Sequence, residues 1–304
     1  MPRKQTNADM QKAIVDRVLE SLNEGTIPWR CPWMKCGGPL RENGQPYRGI
    51  NVILLMMAMS KGEYDNPYFL TFRQINKLGG RVKKGEKSTE IYFFKPFVPA
   101  SEKSKPAEEQ KKVFMMRSYR VFNVEQAEDL PAKYAKKPEL PGSEVVPTVD
   151  ELVKKSGAKV EHIVGNNSAY YNFSRDKIVM PAVEQFKTSE GWAAVMLHEL
   201  THWTGHESRL DRQIKNQFGS PAYALEELTA ELGSAFLCGE LGVNPELPEN
   251  SVAYLQNWIE VLGNNPKTLF QAASAAAKAV ALVNGDGAVE AEETNEETAA
   301  PVAA

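Results

Sequence analysis

Three of the four histidines lie within nine residues, in the run HELTHWTGH at 198–206. His198 and His202 stand at i and i+4, so on a helix both imidazoles leave the same face, one turn apart. Two imidazoles placed in this way can share one Zn2+ at ~2.0–2.1 Å. Glu199, the next residue, is then the general base: it takes a proton from water and passes it to a leaving group. The ion would lower the pKa of that water to ~7. The preceding WAAVML is apolar enough to bury the helix and hold both rings still. The pattern points to HExxH metallopeptidase chemistry, with Zn2+ expected and Mn2+ or Co2+ compatible with the same ligands.

Catalytic zinc takes three protein ligands and a water. His206 continues the histidine column, but Gly205 loosens the helix there, and three ligands in one column enclose a tetrahedral ion poorly. The run YALEELTAELGSAFL offers a better third ligand. Glu227 and Glu231 share a helix face, with Glu226 about a quarter-turn away. Glu227 is expected as the ligand and Glu231 as the carboxylate that receives the other ring N–H of a ligating histidine. The reverse assignment, and Glu226 as ligand, stay open. His206 is expected beside the ligands; with Arg209 and Tyr223 it is a candidate to steady an oxyanion. Asp176–Pro181 is expected to be the edge strand on which an extended substrate pairs, ended by its proline.

Three helices must carry this chemistry, near 189–205, 221–241 and 251–283, the last broken at Asn265-Pro266. Ser220-Pro221 reads as a capping hydroxyl followed by proline at the first helical position. Before them come a helix (VDELVKKSG), a strand (KVEHIV), Tyr170-Tyr171 and the strand DKIVM. Further upstream, apolar residues of 10–24 recur at helical spacing, with Asn7 as N-cap and Gly25 as the stop. Residues 50–59 form a short buried helix or strand. PYFLTFRQINKLGGRVKKGEKSTEIYFFKPFV reads as strand, short helix, Gly-Gly turn and strand, and VFMMRSYRVFNVEQ returns as a strand after an exposed loop at 100–112. The resulting expectation is a two-domain α+β protein: an N-terminal mixed α+β domain at 1–127, a proline-rich linker at 128–148, a second domain at 149–284, and a disordered acidic tail at 285–304.

Composition excludes several classes. Charged residues at 25% and apolar residues at 42% describe a globular chain. No apolar stretch reaches the length of a membrane span, and the N-terminus has no hydrophobic signal segment. Cys31, Cys36 and Cys238 make no disulfide framework and read as reduced thiols of a cytoplasmic protein. The net charge of −3 hides an asymmetry: residues 1–124 hold 22 Lys+Arg against 12 Asp+Glu, while the rest holds 14 against 27. On charge alone, nucleic-acid contact by the basic half and ordinary variation in surface charge are both open.

That half interleaves cations with aromatics: Trp29, Trp33, Tyr47, Arg48, Arg73, Lys77, Arg81, Lys83, Lys84 and Lys87. Single-stranded DNA needs this pairing, with rings to stack on unpaired bases and cations for the phosphates. Phe72, Phe93 and Phe94 are read as core. For Trp29 and Trp33, in a proline-flanked loop, core and DNA contact are both open.

The runs GTIPWRCPW, YRGINVILL and FLTFRQINKLGGRVKKGEKS resemble the N-terminal domain of ArdC-type antirestriction proteins, a domain also found in TraC-type primases. DKIVMP, HELTHWTGHESRLDR and YALEELTAELGSAFL resemble the attached zincin-like metallopeptidase domain. The resemblance, over about residues 8–283, implies single-stranded DNA binding and protection of incoming conjugative plasmid DNA from host restriction. It places the metal site on His198, Glu199, His202 and a glutamate of the 226–231 group. A host protein is a candidate substrate for the metallopeptidase site. The rival reading is a DNA-binding protection protein whose zinc domain is structural or binds a partner. DNA mimicry fits less well, because the acidic excess is diffuse.

Overall fold

The computed structural model describes residues 6–29, 37–99, 101–106, 108–111, 113–135, 145–165, 168–212, 217, 219–245 and 251–286. The helices are α1 (Asn7–Asn23), α2 (Ile50–Gly62), α3 (Phe72–Lys77), α4 (Val145–Ser156), α5 (Ser189–Thr204), α6 (Pro221–Leu241), α7 (Ser251–Asn264) and α8 (Lys267–Asn284). The strands are β1 (Phe69–Thr71), β2 (Arg81–Val82), β3 (Thr89–Phe97), β4 (Val113–Asn123), β5 (Ala127–Glu128), β6 (Val160–His162), β7 (Tyr170–Asn172) and β8 (Lys177–Met180).

α1 starts one residue earlier than its sequence indicates: Thr6, not Asn7, is the N-cap, in a capping box with Asp9. Ile14, Val15, Val18 and Leu22 form its buried stripe. α2 is apolar on nearly every side, and a helix of that kind is buried. Its Asn51 bonds the backbone N–H and C=O of Tyr92 and so ties α2 to β3. β3 and β4 form a long antiparallel ribbon, with β1 on the other side of β4.

The segment expected as a linker is partly built into this N-terminal unit. β5 pairs with β2, and Tyr134 and Leu130 pack with Leu70 and Ile75. Residues 136–144 and 287–304 lie outside the described residues. α4 begins at Val145.

The second unit holds a three-stranded sheet in the order β6-β8-β7, with β6 parallel and β7 antiparallel to β8. This corrects the expected edge strand. β8, the Asp176–Pro181 segment, is paired on both sides; β7 is an edge, and Tyr170 on it is exposed. Helices α5, α6 and α8 pack together beside the sheet.

The two units share one core. Ile14, Trp29 and Ile53 belong to the same buried cluster as Trp192, Leu197, Trp258 and Ala273. The Gly38 N–H donates to Gly239 O on α6 at 2.9 Å, and Arg48 pairs with Asp286 beyond α8 at 2.9 Å.

Candidate metal centre

α5 carries the HExxH run on its last two turns, and its other faces are buried from Trp192 to Leu200. α6 runs antiparallel to it: Ser234 Oγ donates to Ala194 O, while Glu231 faces His198 and Glu226 faces His202. Gly233 permits the close approach. A Cβ there would lie 2.5 Å from Thr201 Cγ2 and 2.6 Å from its Oγ1.

The Nε2 atoms of His198 and His202 face each other at 3.2 Å. Each lies 3.7 Å from a different oxygen of Glu227. Among the described residues, these three bring ligand atoms within 4.8 Å of one another. The other ring nitrogens turn outward to carboxylates. His202 Nδ1 donates to Glu226 Oε1 at 3.0 Å, and His198 Nδ1 faces Glu231 Oε1 at 3.7 Å.

This arrangement fits a divalent ion. A proton on each Nδ1 leaves two Nε2 lone pairs pointing at one another, which is repulsive without a cation between them. Tetrahedral ligands at 2.0–2.1 Å from zinc stand about 3.3 Å apart, close to the spacing found. A proton is the alternative cation. Burial pulls the His198 pKa down, but Glu227, Glu231 and Glu199 around it prevail and push it up to about 9.

Glu226, the weakest ligand candidate on sequence, instead grips the back of His202. It is buried and held by Arg212, whose Nε and Nη2 donate to its two oxygens, each at 2.9 Å. Burial raises its pKa, yet the hydrogen bonds from His202 and Arg212 outweigh that and hold it below the usual carboxylate range. Arg212 ends the run HELTHWTGHESRLDR, but nothing local gives it a role, which depends on the chain folding back after α5. Tyr223, one turn before Glu227, bonds that carboxylate through its hydroxyl, and burial raises the pKa of the phenol. Glu199 is buried and outside the ligand trio.

His206 lies apart from the trio. Its Nδ1 accepts from Ser208, and its ring sits 4.7 Å from Phe173. Arg209 stacks on Trp203 at 3.9 Å and clamps Asp176, between β7 and β8, with Nη1 and Nη2. It therefore joins the end of α5 to the β7–β8 hairpin.

The expected DNA-contact residues divide. Trp29 is 1% exposed and Tyr47 is buried with its hydroxyl on Phe69 O, so both rings are core and closed to a base. Trp33 lies outside the described residues. Arg48 is paired with Asp286, Arg81 with Glu128 and Asp129, and Lys83 donates to Glu125 O. Arg73, Lys77, Lys84 and Lys87 are exposed. Phe93 is core as expected, whereas Phe72, also read as core, is 46% exposed at the start of α3. Phe72 is the first residue of α3, whose buried contact is made by Ile75 instead.

Comparisons with known proteins agree with this layout. Residues 8–122 match the N-terminal domain of anti-restriction factor ArdC, and residues 147–275 match a zincin-like metallopeptidase. Two Escherichia coli DNA primases TraC are 36% and 35% identical over 88% and 87% of this chain. The chain spans only 19% and 26% of their lengths. Uncharacterized protein y4eC of Sinorhizobium fredii (strain NBRC 101917 / NGR234) is 30% identical over 90% of both chains. The crystal structure of antirestriction ArdC protein from the R388 plasmid superimposes with a TM-score of 0.76 in its metal-free form and 0.74 in its Mn(II)-bound form. Identity is 36% and 35%, over 91% of this chain and 97% of that one. No described helix is long and apolar enough to cross a membrane.

Proposed function

Because the chain belongs to the ArdC antirestriction family, we propose that it protects incoming conjugative plasmid DNA from host restriction, with an N-terminal unit that binds single-stranded DNA and a metal-dependent peptidase site on His198, Glu199, His202 and Glu227. One observation carries the peptidase reading: two imidazole Nε2 atoms 3.2 Å apart, both within 3.7 Å of one carboxylate. Two nitrogens and an oxygen suit zinc, and the same donors accept Mn2+ or Co2+; the Mn(II)-bound R388 structure supports a divalent ion here.

A bound ion supplies Lewis acidity to a water and to the scissile carbonyl. The chain's own groups do the rest. Glu199 takes the proton from the attacking water and delivers it to the leaving amine. Tyr223, bonded to Glu227, steadies that ligand and is the candidate donor to an oxyanion. β7, one of the two edges of the β6-β8-β7 sheet among the described residues, offers a place for an extended host polypeptide. In the N-terminal unit, Phe72 supplies a ring for stacking, with Arg73, Lys77, Lys84 and Lys87 for the phosphates.

The rival is a DNA-binding protection protein whose metal domain is a scaffold, and the core shared by the two units favours it. Conjugation into a restricting host separates the readings. Glu199→Gln, checked for metal content and single-stranded DNA binding, loses protection if hydrolysis is part of the mechanism. Full protection by this variant moves the function to the DNA-binding unit.

A further inference from the structure

We infer that Arg212 is a positioning residue for the metal centre, acting through Glu226 to hold His202 with Nε2 turned to the ion. The inference rests on the metal-site reading and extends it to a residue that touches no ligand.

Four of the five N–H donors of Arg212 are placed. Nε and Nη2 fork across the Glu226 carboxylate at 2.9 Å each. Nη1 donates to Thr204 Oγ1 at 2.8 Å, and Nη2 also donates to Thr201 O at 2.7 Å. Thr201 and Thr204 belong to α5, and Glu226 belongs to α6. One guanidinium therefore fixes the carboxylate relative to the helix that carries both histidines. Its own backbone is anchored, since Arg212 N–H donates to Gly205 O at 2.9 Å.

The chemistry demands such a clamp. Glu226 and Arg212 are both largely buried, with side-chain exposures of 8% and 12%. A buried carboxylate with one histidine partner is costly to keep ionised, and a planar fork compensates it with direction as well as charge. Glu226 accepts the Nδ1 proton of His202 at 3.0 Å, which fixes the tautomer and the ring plane. Lysine would bring the charge without the fork. His198 has a looser support, Glu231 at 3.7 Å, so the rigidity of the pair comes from the His202 side.

The test is calorimetric titration of Zn2+ into the metal-stripped full chain, for wild type, Arg212→Gln, Arg212→Lys, Glu226→Gln and the Arg212→Gln/Glu226→Gln double variant. Arg212→Gln is expected to weaken binding by about tenfold or more, as loss of a ligand's supporting partner does, with Arg212→Lys between it and wild type. Because both residues act through one hydrogen bond, the double variant should bind no more weakly than the weaker single variant. Unchanged affinity in Arg212→Gln, or losses that add in the double variant, would overturn the proposal. Should Arg212→Gln not fold, Arg212→Lys carries the test, and wild-type affinity there overturns it equally. A wild type that takes up neither Zn2+ nor Mn2+ defeats the metal-site reading itself, a separate outcome.

Discussion

Gly233 of α6 lies against Thr201 of α5 so closely that a single added carbon would stand 2.5 Å from the threonine methyl. Thr201 cannot swing away freely, because its hydroxyl donates to Leu197 O at 2.8 Å. This close approach sets the distance from the histidine helix to the glutamate helix. Gly233→Ala should cost about 1–3 kcal/mol by overpacking and should also weaken metal binding, since the helices that carry the ligands must part. Adding Thr201→Ala should restore much of both, as read by thermal unfolding and Zn2+ titration.

Glu199 lies outside the ligand trio, so Glu199→Gln should keep its metal while losing hydrolysis. A general base is worth about 10²–10⁴-fold. Metal content by emission spectroscopy and cleavage of an unfolded protein substrate provide the check; metal loss in this variant would place Glu199 in the ligand set instead.

Phe72 presents an exposed ring beside the exposed cations Arg73 and Lys77 of α3, packed at 6.5 Å on Phe122. Phe72→Ala should weaken oligonucleotide binding by about 1–3 kcal/mol with little change in Tm. Replacing Lys84 and Lys87 by Gln should instead flatten the salt dependence, by about 0.7 in slope for each phosphate that is no longer neutralised. Fluorescence anisotropy across a salt series distinguishes the two effects.

The Asp176–Arg209 clamp predicts an acid limb. Hydrogen bonds from Arg209 hold the Asp176 pKa down at about 2, against the opposing effect of partial burial. A carboxyl with a lowered pKa binds its proton less readily in the folded state than in the unfolded one. Its stabilisation is therefore complete above the ordinary carboxylate pKa and fades as pH falls through the folded value. Asp176→Asn should lower Tm near neutrality, and its difference from wild type should close between about pH 4 and pH 2. A constant difference over that range would argue against the ion pair.

Some of this was legible from residue order alone, and the reason is locality. An i, i+4 pair on a helix faces one way whatever the helix packs against, so the shared face of His198 and His202 is readable in the five letters HELTH. The Ser220-Pro221 start of α6 and the break at Asn265-Pro266 are local in the same sense. What needed the tertiary structure was every choice made between segments. Helix spacing puts Glu227 and Glu231 on one face and Glu226 a quarter-turn away without saying which meets which histidine; the antiparallel crossing with α5 gives one to each histidine and the third to both. β8 looks like an edge until β6 and β7 pair on its two sides. Trp29, for which core and DNA contact were both open, is core, and Phe72, expected as core, is exposed, because burial depends on which surfaces the elements cover when packed, a property no single segment carries. Arg212 shows the same limit: its guanidinium acquires a role only when the chain turns back across the end of α5 and meets Glu226.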